Sequence, residues 1–361
     1  MTPELSIIVP ILNEEEQLRC FLTDLVRQKN IDFEVIISDG GSADNPAAVI
    51  AEYARFCGYP ISLHTGEKGR GRQLNSGIAK ARTNWMLLLH VDSRFQDELA
   101  LRRALDFMKD FGTKRIAGRF PLRFRHTNSF EQQPGYYYYE WKARLPREEC
   151  IHGDQGFLLS RETFQHVGHF RENLPVMEDT DFAERLRRIG KWVLLPSEIS
   201  TSARRFETEG LWQRQLLNAL IMCFRSIGWE DFFGDAISVY RQQGAGGSLR
   251  LRPFFRQVRR SMLKVPLRKR MKIWYRSGGY VRGHAWQLAF ALDAKRAFKK
   301  GLPPGQGKMH WVRLLEPSYN LLTNNPFGRL AATLLLWVWF YSTWIGLLFI
   351  EQTGSTKLER A

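Results

Sequence analysis

Carboxylates recur in this chain at points where an apolar run stops. In "MLLLHVDSRF" (86–95), five of the first six residues are apolar, His90 sits inside the run and Asp92 ends it. A carboxylate at the mouth of a buried strand is a hard oxygen ligand for Mg²⁺ or Mn²⁺, ions that bridge a protein to substrate phosphates. A strand-end Asp that caps the next helix reads the same way. "FEVIIS" (33–38) stops in the same manner at Asp39. In "GEKGRGRQLNSG" (66–77), Lys68, Arg70 and Arg72 stand among glycines. The stretch lacks the spacing of a Walker loop, and its GxG does not directly follow a strong strand. Its amides and cations suit a diphosphate; a flexible basic turn is the plain alternative. In "EDTDF", Glu178, Asp179 and Asp181 crowd together. Like charges so close raise at least one pKa, which suits a general base, while a solvated helix start would carry the same acids. Arg204 and Arg205, in "TSARRF", suit phosphates, the acids of "EDTDF", or solvent.

These residues need a frame that brings them together. Short apolar runs at 5–10, 33–38, 61–65, 85–91 and 192–196 read as strands. Helical spacing marks 13–28, roughly 46–57, the loop-into-helix stretch 71–82, and 177–190. Strands alternating with helices predict an α/β fold with a mainly parallel sheet flanked by helices. In such sheets ligands sit beyond the carboxyl ends of the strands, which is where Asp39 and Asp92 fall. The aromatic run "YYYYEW" (136–141) fits core packing or a sugar-stacking wall. After about 210 the pattern changes to long helical stretches, with a linker-like "RQQGAGGSLR" at 241–250.

Taken singly, none of the motifs decides a function; their order is more specific. "SDGGSAD", a basic loop with "NSG", "HVD", "GDQG" and "ED" follow one another along the first half of the chain. Over roughly residues 4–230 this order resembles the family 2 glycosyltransferases, which have the Rossmann-like GT-A fold. It is similar to the subgroup with GRGRQxN, HxD, GDQ, MED and SARRF motifs. The resemblance implies that Asp39 binds the nucleotide base with Asn13 and Glu14 near it, and that Arg72 and Asn75 help hold the nucleotide. It implies a divalent metal, Mg²⁺ or Mn²⁺, at Asp92, which matches the second acid of the DxD motif; His90 replaces the first. Asp154, Glu178, Arg204 and Arg205 would line the sugar or acceptor side, and Asp179 would be the catalytic base. Processive relatives carry QxxRW near "SARRF"; its absence argues against a polymerising synthase. The sugar, the donor base and the oligomeric state stay open.

The tail makes a separate argument. The net charge is +16, and Arg250–Lys300 alone holds 16 Lys/Arg against the single acid Asp293. Such a block suits an anionic surface, lipid or nucleic acid. "LAATLLLWVWFYSTWIGLLFI" (330–350) then runs 21 residues without a charge, and a membrane-spanning helix needs about 20. That tips the reading to membrane, with no nucleic acid expected. Lys/Arg before the run place the catalytic domain on the cytoplasmic side. Four scattered cysteines without a CxxC fit a reducing compartment, and "MTPELSIIVP" has no secretion-signal pattern. The expected organisation is a glycosyltransferase domain at 1–230, a basic helical membrane-proximal region at 231–328, a transmembrane or interfacial helix at 329–351 and a polar tail at 352–361. The expected activity is inverting transfer from a nucleotide sugar to a lipid or lipid-linked hydroxyl. A nucleotidyltransferase and a non-catalytic membrane-bound scaffold are the rivals.

Overall fold

The computed structural model describes residues 2–111, 115–127, 133–229, 231–243 and 247–358. The centre of the expected linker, 244–246, and the last residues of the expected tail, 359–361, lie outside them. The chain divides into two compact units, Met1–Ala203 and Arg204–Ala361, so the boundary read at 230 falls inside the second.

The strands of the first unit are β1 (Leu5–Ile11), β2 (Phe33–Asp39), β3 (Ile61–Thr65), β4 (Trp85–Leu88), β5 (Ile116–Arg119), β6 (Leu122–Arg125), β7 (Phe157–Ser160), β8 (Lys191–Leu194) and β9 (Ile199–Ser202). Its helices are α1 (Glu15–Val26), α2 (Pro46–Tyr53), α3 (Arg70–Lys80), α4 (Ala100–Asp110), α5 (Pro134–Lys142), α6 (Arg161–Val167) and α7 (Glu178–Ile189). Seven strands form one sheet in the order β3-β2-β1-β4-β7-β5-β8. Of these seven, only β7 runs antiparallel to its neighbours. The mainly parallel sheet flanked by helices is the expected architecture.

Both faces of this sheet are covered, which explains the unbroken apolar runs. Along β1, Leu5, Ile7, Val9 and Ile11 enter one core layer with Leu18, Phe21 and Leu22 of α1 and Leu101 and Leu105 of α4. Ile8 enters the other, with Leu74 and Ile78 of α3 and Phe182 and Leu186 of α7. Each such side chain contributes about 1.5–3 kcal/mol by burial. α3 lies especially close to the sheet, because a Cβ on Gly77 would stand 2.5 Å from Ile8 Cγ2.

Three local features refine the sequence reading. The run at 85–91 pairs in the sheet only as far as Leu88; the Leu89 amide still donates to the Ile8 carbonyl at 3.0 Å, and His90–Asp92 turn away. "YYYYEW" forms most of α5, where Tyr136, Tyr137 and Trp141 are buried. Residues 199–202 form β9, which pairs with β6 in a separate parallel ribbon.

The second unit is helical: α8 (Arg204–Glu209), α9 (Leu211–Ser226), α10 (Asp231–Gln242), α11 (Arg252–Lys264), α12 (Leu267–Gly283), α13 (Trp286–Lys299), α14 (His310–Thr323) and α15 (Pro326–Leu358). α12 and α15 touch backbone to backbone at Gly278, where a Cβ would lie 2.7 Å from Thr333 Cα. Pro326–Phe349 of α15 is 24 residues long and apolar enough to cross a membrane.

Candidate functional site

The carboxyl ends of β2 and β3 open on a cavity of about 350 Å³ lined by Ser38, Asp39, Gly66, Glu67, Arg72, Gln73, Ser76 and Glu172. Asp39 ends β2 and is held by the Ser42 amide (3.0 Å) and hydroxyl (2.5 Å), both donating to Oδ1. Asn13 sits one loop away in the left-handed region, φ 56°, a conformation Asn tolerates better than most residues. Its amide donates to Ser42 Oγ (2.9 Å) and its Oδ1 accepts from the Ala43 amide (2.7 Å). Asn13 therefore shapes the loop that carries Asp39. Glu14 is the N-cap residue of α1.

The "GRGRQLNSG" stretch is mostly helix, because α3 already starts at Arg70. Its buried residues explain its composition. Gln73 Nε2 donates to the carbonyls of Ile11 (2.6 Å) and Ser38 (2.8 Å), tying the ends of β1 and β2 together under the cavity. Asn75 Nδ2 donates to the Phe170 carbonyl and to Glu172 Oε1, each at 2.9 Å, and its Oδ1 accepts from the Phe170 amide. Asn75 thus fixes the 170–172 segment that brings Glu172 to the cavity wall. Arg72 reaches the cavity directly, bound to Glu67 at 2.7 Å and facing Glu172 at 3.9 Å. Arg70 points the other way and pairs with Glu178 at 3.6 Å. The first turn of α3 therefore stands between the cavity and a second, acidic crevice.

That crevice joins three stretches distant in sequence. Asp179 Oδ2 accepts from the Gly153 amide at 2.7 Å, and Oδ1 from the Thr180 amide at 2.7 Å. A Cβ on Gly153 would stand 2.9 Å from Asp179 Oδ2 and 3.3 Å from His90 Nε2. Only a glycine lets these two groups come so near the same point. Asp92 Oδ2 accepts from Thr201 Oγ1 (3.0 Å) and the Ser202 amide (3.4 Å), so the β6–β9 ribbon positions it. Met177, at the start of α7, holds a left-handed φ of 67°, a strained state for a long side chain. The strain sits immediately before Glu178 and Asp179.

The electrostatics set these acids apart. Burial pushes the Asp154 carboxyl up to about 7, and the charges of Asp179 and Asp92 push the same way. Glu178 is raised by burial and then by Asp179. Burial also acts to raise Asp179, yet it is held below the ordinary carboxylate range by His152, the Gly153 amide, Arg70 and the Thr180 amide. His152 is itself driven towards its neutral form by burial. The fixed amides and Arg70 therefore dominate in keeping Asp179 ionised. One carboxylate pushed towards its charged form beside two pushed towards their neutral forms is the division of labour that acid–base chemistry needs.

Among the described residues no three His, Cys, Asp or Glu side chains converge as a ready-made metal site. Asp92 and His90 remain, and Asp154 Oδ1 is buried without a hydrogen-bond partner. This fits an ion such as Mg²⁺, which takes one or two carboxylates and draws its other ligands from substrate phosphates and water. Arg204 and Arg205 open α8 in the second unit and are exposed. Sequence reasoning did not single out Gln73, Gly153 or Thr201, and it gave Arg70 no part beyond the basic loop.

The Glycosyl transferase family 2 model matches residues 6–168. The PGL/p-HBAD biosynthesis glycosyltransferase of Mycobacterium bovis BCG is 31% identical over 185 residues, 50% of this chain and 68% of that protein. The poly-beta-1,6-N-acetyl-D-glucosamine synthase of Staphylococcus epidermidis is 26% identical over 119 residues, 33% of this chain and 29% of that one. The mannosyltransferase PcManGT of Pyrobaculum calidifontis, solved with GDP-Man and Mn²⁺, has a TM-score of 0.47 at 16% identity, covering 92% of this chain and 87% of that one. With the mycobacterial protein matched over two thirds of its length, the chain belongs to glycosyl transferase family 2 and is a glycosyltransferase of the GT-A fold.

Proposed function

We propose that this glycosyltransferase is inverting, metal-dependent and non-processive, and that it moves a sugar from a nucleoside diphosphate to a hydroxyl of a lipid or lipid-linked acceptor at the cytoplasmic membrane face. The motif order GRGRQ, HVD, GDQ, MED and SARRF supports membership of the subgroup that carries an HxD in place of DxD. The observation that carries the mechanism is the approach of Asp179 and His90 to one point at Gly153, beside Asp154 and across α3 from the Asp39 cavity. In this reading Asp39 and the Asn13 loop receive the base, and Arg72 faces the phosphates. Arg70 and the first turn of α3 add fixed positive charge and amide dipoles.

Asp179, held ionised, takes the acceptor's proton as its oxygen attacks the anomeric carbon. The new carbon–oxygen bond forms on the face opposite the phosphate. The old one breaks with its electrons on the diphosphate, so configuration inverts. A divalent ion at Asp92, with His90 beside it, would supply Lewis-acid stabilisation of that leaving group. Asp154, near half-protonated at neutral pH, can donate to or accept from a sugar hydroxyl. The lipid acceptor and the membrane face rest on the basic block and the apolar helix that follows it.

The test is to incubate the full chain with Mn²⁺ and a panel of nucleotide sugars, with lipid extracts as acceptor. One donor should be consumed with release of its nucleoside diphosphate, and the product should have the opposite anomeric configuration. Release of pyrophosphate would select nucleotidyl transfer instead, and retained configuration would exclude Asp179 as the base of a single direct displacement.

A further inference from the structure

Resting on the proposed membrane association, we infer that α15 lies along an anionic membrane surface, its outer stripe seated at the headgroup–acyl boundary, and does not cross the bilayer. The outer stripe is Phe327, Leu330, Leu334, Val338, Ile345 and Phe349, spaced three, four or seven residues apart on one side of the helix and exposed, and it is flanked by the exposed Leu335 and Trp339 on one edge and Trp337 on the other. Leu321 and Leu322 at the end of α14 extend the apolar surface at 84% and 73% exposure.

The opposite side of α15 is occupied by protein. Phe340 is buried, stacked on Phe255 of α11 at 4.9 Å and edge-on to Trp274 of α12 at 5.4 Å. Thr333 abuts Gly278 of α12. Trp344 carries the guanidinium of Arg259, whose Cζ is 4.8 Å from the ring centroid. These contacts run from 333 to 344 and so straddle the middle of the 24-residue apolar stretch.

The two helices that flank this middle are the most basic in the chain. α11 carries Arg252, Arg256, Arg259, Arg260 and Lys264, and α12 adds six more Lys/Arg; neither holds an acid. A bilayer-crossing α15 would drag those cations towards the hydrocarbon centre, where charged side chains are costly. Laid flat, α15 puts its apolar stripe in the lipid and leaves α11 and α12 at headgroup level, where anionic lipids attract them. One geometry thus uses both the charge and the apolar stripe.

The test uses the full chain with the exposed Cys20 changed to Ser and spin labels on single cysteines at exposed positions from 330 to 345. The probes are vesicles of phosphatidylglycerol with phosphatidylcholine. The expected result is oxygen accessibility that oscillates with a period near 3.6 residues, peaking at 334, 338 and 345. A Leu334→Gln/Val338→Gln double variant should bind vesicles about ten-fold less tightly, with circular dichroism and donor hydrolysis unchanged. A smooth depth profile with one maximum near 338, and a C-terminal tag protected inside the vesicle, would overturn the flat arrangement while keeping the membrane reading. No binding to vesicles at all would overturn the membrane reading itself. Labels that are already immobile without vesicles, in a concentration-dependent manner, would mean that a second copy covers the stripe and would also overturn the inference.

Discussion

Asp179 and Glu178 are sequence neighbours shifted in opposite directions, and the difference lies in what each oxygen meets. Both oxygens of Asp179 accept from backbone amides, which favours the charged form. Glu178 is buried with one cation, Arg70, at 3.6 Å. Asp179→Asn should therefore lower kcat by about 10²–10⁴ with donor affinity nearly unchanged, measured by turnover and by calorimetry with the donor. Glu178→Gln keeps the neutral form that burial already favours and should cost much less. Asp154 makes a separate prediction about stability. Its folded pKa of about 7 lies above the ordinary carboxylate value of 3.8, so the folded state keeps a proton that the unfolded chain has released between those limits. Stability from this group is present at low pH and is lost as pH rises towards 7. Urea unfolding in chelator at pH 5 and pH 8 should show the wild type losing roughly 2–3 kcal/mol more than Asp154→Asn. An equal loss in both would mean that Asp154 is charged in the fold.

At the scale of elements, α3 and the β6–β9 ribbon act as the fixtures of the site. Gly77→Ala would put a methyl 2.5 Å from Ile8 Cγ2, so α3 must lift from the sheet and carry Arg70, Arg72 and Gln73 with it. The expected cost is about 1–3 kcal/mol of stability, read by denaturant midpoint, together with weaker nucleotide binding. Thr201→Val is nearly isosteric and removes one donor from Asp92. It should weaken Mn²⁺-dependent nucleotide binding by about ten-fold with little change in melting temperature. These two fixtures also mark what the sequence made legible. Asp39 and Asp92 could be read because an apolar run that ends in a carboxylate is a local pattern, and the spacing of β1 to β4 is local too. Gln73 and Thr201 could not, because each owes its role to a partner far away: Ile11, 62 residues from Gln73, and Asp92, 109 residues from Thr201. "GRGRQLNSG" looked like a phosphate loop for the same reason. Gly71 and Gly77 read as loop flexibility until the backbone of Arg171 and the side chain of Ile8 stand against them.

On the scale of the whole molecule, the acids and the Asp39 cavity belong to the first unit, while the basic helices and the apolar stripe belong to the second. If the second unit serves to bring a lipid acceptor to the reaction, its surface should matter for transfer and not for attack by water. Removing all of α15 cannot test this, because Phe340 is part of the second unit's core and its loss would unfold that unit. Substitutions confined to the outer stripe can. Leu334→Gln with Val338→Gln should reduce transfer to an acceptor held in phosphatidylglycerol vesicles by about ten-fold and leave hydrolysis of the nucleotide sugar unchanged. Raising the salt should lower vesicle transfer in the wild type as well, since the basic helices act through screened attraction to the headgroups. Transfer to a detergent-solubilised short-chain acceptor should respond to neither change. A parallel fall in vesicle transfer and hydrolysis would show that the stripe supports the fold of the enzyme and not its access to lipid.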